Sequence, residues 1–218
     1  LQLAYYTVHS PIEAKKEWVE YYQSKLKPGM RHKNATYAAM VHSLDENVGR
    51  VIRKIEDLGI AGRTIVVFFS DNGGVANTIR GQFVTDNAPL HSGKGSLYEG
   101  GIRVPLLIHW PGVTKPGIVC SEPVCSTDFY PTFLDMTGAA GDPGHNQNID
   151  GISLASVLHN PQSRLQREAL CWHYPHYYPT TTPAGAIRQG DWKLLEYFED
   201  NRLELFNLSE DVSEQRNL

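Results

Sequence analysis

Cysteine is scarce in this chain. Cys120, Cys125 and Cys171 are the only three among 218 residues, and no two of them stand in a C-x-x-C spacing. That excludes a small domain stapled by disulfides and a cysteine-built zinc ribbon. Cys120 and Cys125 are close enough in sequence to bridge locally, but buried free thiols fit the pattern better. Long apolar runs are also missing, and none approaches the roughly 18 residues of a membrane-spanning helix. Excess positive charge is missing too. A formal net charge of −4 and a pI near 6.1 argue against a nucleic-acid partner, which would require a basic face. There is no internal repeat, no low-complexity segment, no signal-peptide pattern and no initiator methionine. The chain opens on LQLAYYTVHSP, which reads as a strand (Leu1 to Thr7) already under way, as in a piece of a longer protein.

What is present belongs to a folded globular protein: 41% hydrophobic and 20% charged residues suffice for a sizeable core. After the first strand a polar stretch holding Trp18, Tyr21 and Tyr22 has helical character, broken at Lys27-Pro28-Gly29. From about Asn34 to Leu58, apolar residues at Tyr37, Met40, Val41, Leu44, Val48, Val51, Ile52 and Ile55 fall at three-and-four spacing. That predicts a long amphipathic helix, with Gly59 as its C-cap. The run Ile65 to Phe69 then predicts a buried strand, so that helix and strand make half of a βαβ unit. Gly74 to Gly93 reads as a long loop, and Val104 to Trp110 as a second buried strand. Ser126-Thr127-Asp128 starts a helix that Gly138 ends, and Ile152 to Leu158 suits a short one. In the last third, AIRQ, WKLLEYF and LELFNL predict two or three antiparallel strands separated by Gly-Asp and Asp-Asn turns.

The chemistry starts where the first buried run stops. In TIVVFFSDNGG the carboxylate of Asp71 and the amide of Asn72 sit just past the strand end, where open α/β sheets bind ligands. Both are oxygen donors of the kind hard divalent cations take. Asp-Asn-Gly is equally good turn chemistry, and that reading stands beside the metal one. Lys94 lies between two glycines in GKGSLYEGG, without the spacing of a nucleotide-binding P-loop. His9 sits just past a strand end in TVHSP. Glu99 and Arg103 suit a structural ion pair, and His42 and Asp45 suit packing or surface roles. His173 and His176 lie in the aromatic cluster WHYPHYYP, which would serve equally as a pocket wall or as packing. Asn34-Ala35-Thr36 and Asn207-Leu208-Ser209 are glycosylation sequons of the kind chance supplies.

Five pieces occur in a telling order: YYTVHSP, YAAMVHSLDENVGRVIRKIEDLG, TIVVFFSDNGG, GKGSLYEGGIRVPLLIHWPG and STDFYPTFLDMTG. Together they resemble the carboxyl-terminal half of the sulfatases, in the alkaline-phosphatase-like superfamily. The tail DWKLLEYFEDNRLELFNLSED also looks like that family's terminal sheet. The resemblance implies an α/β fold, the carboxyl-terminal part of a mixed sheet flanked by helices over residues 1–160, plus a small antiparallel-sheet subdomain over 161–218. It implies that Asp71 and Asn72 are two ligands of an active-site divalent cation, usually calcium, in an incomplete site. Lys94 becomes a sulfate-binding lysine and His9 the group that protonates the leaving alkoxide, with Lys94 as the other candidate donor. The family's nucleophile is a cysteine in C-x-[PA]-x-R, oxidised to formylglycine. Cys120 begins CSEPV, with proline one place late and no arginine, and the other two fit less well. The nucleophile is therefore expected outside these residues, and the chain alone is expected to be inactive. The substrate class so implied is a sulfated small molecule or carbohydrate, in a periplasmic, secreted or lysosomal setting. Two rivals remain: a phosphoesterase or phosphonate hydrolase of the same superfamily, and a non-catalytic carbohydrate-binding module using Trp172 to Tyr178 on sugar faces.

Overall fold

The computed structural model describes residues 1–79 and 81–218. In chain order the helices are α1 (Lys16–Lys25), α2 (Ala35–Asp57), α3 (Glu99–Ile102), α4 (Phe129–Thr137) and α5 (Ala155–His159). The strands are β1 (Val66–Phe69), β2 (Thr78–Ile79), β3 (Gln82–Phe83), β4 (Leu106–His109), β5 (Leu170–Tyr174), β6 (Ala184–Gln189), β7 (Trp192–Tyr197) and β8 (Leu203–Asn207).

Helix α2 starts where Asn34 accepts a hydrogen bond from the Tyr37 amide at 2.9 Å, satisfying a donor the helix itself cannot. The Asn34 carboxamide also donates to the Phe83 carbonyl at 3.1 Å, tying the helix start to β3. The helix ends in a Schellman arrangement. Gly59, at φ +66, lets its own amide reach Glu56 O and the Ile60 amide reach Ile55 O, satisfying two orphan carbonyls. Along its flank α1 packs, with the Trp18 and His42 ring centroids 3.7 Å apart in a tilted contact and the Tyr22 hydroxyl 3.1 Å from His42 Nδ1. His42 is thus a packing residue, while Asp45 is exposed.

Three expectations about strands are corrected. Leu1 to Thr7 forms no strand; without a ladder partner among the described residues, its Leu1, Leu3, Tyr5 and Tyr6 stay exposed. The run that forms β1 is half-buried along its whole length, not fully buried. Likewise β4 alternates, and Leu107 is 61% exposed. The reason is that among the described residues β1 and β4 pair antiparallel only with each other, Val66 opposite His109 and Phe69 opposite Leu106, so these two strands are not a parallel βαβ pair. Their covered face packs on α4 and on the residues around α5. Phe69 meets Phe129 edge-on at 4.8 Å, and Ile108 lies on the Leu154, Val157 and Leu165 cluster. The start of α4 is fixed by buried Asp128, whose carboxylate accepts from the amides of Cys125 and Ile152, both at 2.9 Å, and from Arg167.

The terminal sheet runs β5-β6-β7-β8, antiparallel throughout. It has four strands, one more than expected: LCWHY, which reads as an aromatic cluster in sequence, is β5. Ala184, Ala186, Leu195, Tyr197, Phe206 and Leu208 build the core of this sheet, and Leu97 from the Gly-rich loop enters it. All three cysteines are free; Cys120 and Cys171 are exposed rather than buried, Cys171 because it falls on the outer face of β5. Among the described residues no helix is long and apolar enough to cross a membrane.

Candidate active site

The segment after β1 is held chiefly by backbone hydrogen bonds. Ser70 N donates to Pro105 O at 3.2 Å, Gly73 N to Gly101 O at 2.9 Å, and Lys94 N to Gly74 O at 3.0 Å. The two loops approach so closely that side chains are excluded. A Cβ on Gly73 would lie 1.7 Å from Gly100 O, and one on Gly93 would lie 2.3 Å from Gly74 O. Both distances are far inside van der Waals contact, so glycine is required by the interlock itself. The loop around Lys94 is closed by the amide and hydroxyl of Ser96, at 3.1 and 2.9 Å from Gly93 O. It is covered from the terminal sheet. The Tyr178 ring lies over Gly95, which takes φ +85, and Thr180 Oγ1 donates to Lys94 O at 2.8 Å.

Within this frame Asp71 is exposed, and Asn72 and Lys94 are half-buried. The Asn72 amide nitrogen donates to Gly73 O at 3.0 Å, and Ser70 Oγ to Asn72 O at 3.0 Å. Among the described residues no hydrogen bond or ion pair engages the Asp71 carboxylate or Asn72 Oδ1. Two adjacent uncommitted oxygen donors fit part of a calcium shell, which takes six to eight oxygens. Among the described residues no cluster of three or more His, Cys, Asp and Glu side chains stands ready for a metal ion. The residues present therefore suit the cation as a partial shell. Exposed His9 stands apart. Its Nδ1 lies 2.8 Å from Ser10 O, its amide donates to Tyr6 O, and its ring leans on Tyr6 at 5.4 Å. No contact among the described residues joins His9 to Asp71, Asn72 or Lys94.

The expected pair of Glu99 and Arg103 is present at 3.7 Å, but sequence reasoning missed its larger setting. Glu99 is enclosed with Lys193 and Glu214: Lys193 Nζ lies 3.0 Å from Glu99 Oε1 and 2.8 Å from Glu214 Oε1. The Glu99 amide donates to Glu214 Oε2 at 2.7 Å, and Arg188 stands 3.7 Å from Glu99 Oε2. Burial pushes the Glu214 carboxyl above its ordinary range, with Lys193 pulling it back. The signal was legible in β7, where alternation puts Lys193 on the buried side with Leu195 and Tyr197. His173 packs against Phe198 at 5.4 Å and His176 against Tyr174 at 5.3 Å, both on exposed positions.

Comparison with known proteins places this geometry in a family. The sulfatase family model matches residues 1–139, and that of N-sulphoglucosamine sulphohydrolase, C-terminal, matches residues 91–218. A sulfatase of Formosa agariphila is 39% identical over 99% of this chain and 41% of its own length. Arylsulfatase J of Mus musculus is 32% identical over 89% of this chain and 33% of its own length. The N-acetylglucosamine-6-O-sulfatase of Bacteroides thetaiotaomicron is also 32% identical, over 84% of this chain and 31% of its own. Among solved structures, BT4656 in complex with its substrate D-glucosamine-2-N,6-O-disulfate superposes with a TM-score of 0.68 at 31% identity, over 91% of this chain and 40% of that one. A phosphonate monoester hydrolase of Silicibacter pomeroyi shares the fold, with a TM-score of 0.57 at 22% identity, over 92% of this chain and 41% of that one. The chain spans less than half the length of these relatives. Its fold is the alkaline-phosphatase-like α/β arrangement, with the small antiparallel sheet β5–β8 at its carboxyl end. With a family model covering well over half of its residues and relatives matching nearly all of them, the chain belongs to the sulfatase family.

Proposed function

We propose that these residues form the sulfate-binding side, and part of the calcium site, of an enzyme that hydrolyses sulfate esters of carbohydrates. The observation that carries this reading is the interlock at Gly74. Its carbonyl accepts the Lys94 amide at 3.0 Å, so an ammonium-bearing loop and two oxygen donors without partners among the described residues are registered against each other through the backbone. Asp71 and Asn72 would hold the cation, which supplies fixed positive charge beside the sulfuryl oxygens when bound. Lys94 offsets negative charge that builds on the same oxygens in the transition state. His9 is poised by its tautomer. A carbonyl can only accept, so the contact with Ser10 O fixes the proton on Nδ1, and in the imidazolium Nε2 carries the proton available to a leaving alkoxide. The nucleophile, a formylglycine made from C-x-[PA]-x-R, is not among these 218 residues, and the chain by itself is inactive. Sulfated amino sugars are the favoured substrates, supported by the sugar disulfate held by the BT4656 relative.

The test uses the polypeptide that unites these residues with the nucleophile. Lys94→Ala should lower kcat/KM for 4-nitrophenyl sulfate by about 10²–10³-fold, and Asp71→Asn should weaken calcium binding measured by calorimetry. A Lys94→Ala variant within about twofold of wild type, or faster turnover of a phenylphosphonate ester than of the sulfate, overturns the reading.

A further inference from the structure

The interlock between the two loops has one side-chain member, Asn87. Its carboxamide nitrogen donates to Gly74 O at 2.8 Å and to Ser92 O at 3.0 Å, so both of its hydrogens are used, one on each loop. The Gly74 carbonyl that accepts from Asn87 also accepts the Lys94 amide. The side chain lies hard against both backbones. A Cβ on Gly74 would meet Asn87 Oδ1 at 2.7 Å, and a Cβ on Gly93 would meet its Nδ2 at 2.6 Å. Neither glycine can carry a side chain that makes this link, so it comes from Asn87, which lies between them in sequence. Asn87 is itself half-buried and anchored, its carbonyl accepting the Leu90 amide at 3.1 Å.

We propose that Asn87 is a positioning residue: its carboxamide fixes the distance between the Asp71–Asn72 pair and Lys94 by bridging Gly74 and Ser92. The proposal rests on the reading of those three residues as the sulfate and cation site. A carboxamide suits the task chemically. Two carbonyl oxygens need two donors from one planar group, which a primary amide supplies. A carboxylate of the same shape supplies none, and would set its own oxygens against both carbonyls. When one hinge of such a frame is lost, a displacement of about 1 Å is enough to cost on the order of 10²-fold in rate.

The experiment compares Asn87→Asp and Asn87→Ala with wild type in the polypeptide that includes the nucleophile. Asn87→Ala removes both donors without adding charge, and carries the test if Asn87→Asp does not fold. Three readouts are taken: kcat and KM on 4-nitrophenyl sulfate, the thermal midpoint, and hydrogen exchange at the Lys94 amide. Positioning predicts a kcat about 10–100-fold lower with KM changed less than about threefold. It also predicts Lys94 amide exchange at least about tenfold faster. A lower thermal midpoint with kcat unchanged per folded molecule means a structural role only and overturns the proposal, as does unchanged exchange at Lys94. If the wild type hydrolyses no sulfate ester, the sulfatase reading fails, while the exchange rate still decides whether Asn87 joins the loops.

Discussion

Replacing Lys193 by methionine is the sharpest test of what holds the Lys94 loop in place. Methionine keeps an unbranched stem of similar length and removes the charge. The Lys193 side chain is 0% exposed and stands between Glu99 and Glu214, themselves 2% and 0% exposed. Its loss leaves two enclosed carboxylates. Glu99 keeps some compensation from Arg103 and Arg188, each 3.7 Å from its Oε2. Among the described residues Glu214 then keeps the Glu99 amide at 2.7 Å as its hydrogen-bond donor. Removing one partner of a buried ion pair costs about 3–5 kcal/mol, and Glu214 should bear most of it. Burial already pushes this carboxyl up, and Lys193 is the main group opposing that. Without Lys193 the carboxyl takes up a proton more readily, so the stability loss should be largest at about pH 8 and smaller at about pH 5. Urea unfolding of wild type and Lys193→Met at both pH values measures the two losses. A loss under about 1 kcal/mol at the higher pH, or equal losses at both, would refute the reasoning.

Glu214→Gln should act with the opposite pH trend to an ordinary salt-bridge deletion. The folded carboxyl is held above its ordinary 4.5, so the folded wild type binds more protons than the unfolded chain. Its favourable contribution is complete below that value and is lost as pH rises through the raised one. Wild-type stability relative to Glu214→Gln, from urea melts, therefore falls across this window; a rise would contradict it. Gly73→Ala would bring a Cβ to 1.7 Å from Gly100 O and force the loops apart. It should cost about 1–3 kcal/mol and abolish calcium-dependent stabilisation in thermal melts, and retention of that stabilisation would count against the interlock.

Much of this was legible in the chain itself, and the reasons for the exceptions are physical. Helix α2 was legible because its apolar stripe, its Asn34 cap and its Gly59 terminus all pointed the same way. Asp71 and Asn72 were legible as a pair at a strand end because the apolar run stops abruptly there. The burial of β1 was not, because five apolar residues in a row do not say how many strands flank them. Strand β5 escaped because its inward Trp172 and Tyr174 and outward His173 run on into the aromatic stretch WHYPHYYP, which masks the alternation. The Lys193 cluster escaped for a different reason. Its hydrogen bonds join residues 94 and 115 apart in sequence, and no local periodicity encodes a partner at that range. Asn87 escaped likewise, since an asparagine in a turn-rich loop gives no sign of which carbonyls its amide will reach.

The position of the buried charge explains why the terminal sheet and the candidate site are not separable. Glu99 lies five residues beyond Lys94, and both its backbone amide and its carboxylate are held by Glu214 and Lys193. The next two residues, Gly100 and Gly101, press directly on Gly73. On the other side, Thr180 holds the Lys94 carbonyl and Tyr178 covers Gly95. The Lys94 loop is thus clamped at both ends by the β5–β8 region, and the Asp71–Asn72 loop rests on the clamped part. An enclosed ion cluster is a costly way to gain stability, since apolar residues of similar volume often serve as well or better. What it offers here is directional: three groups that must meet at fixed distances define one register between sheet and loop, which a greasy contact would leave free to slide. The same logic accounts for the glycines, because backbone packed on backbone leaves no rotamer to adjust. On the proposed reading, a site that must hold an ammonium and two oxygen ligands at fixed separation is better served by that rigidity than by a more stable but adjustable core.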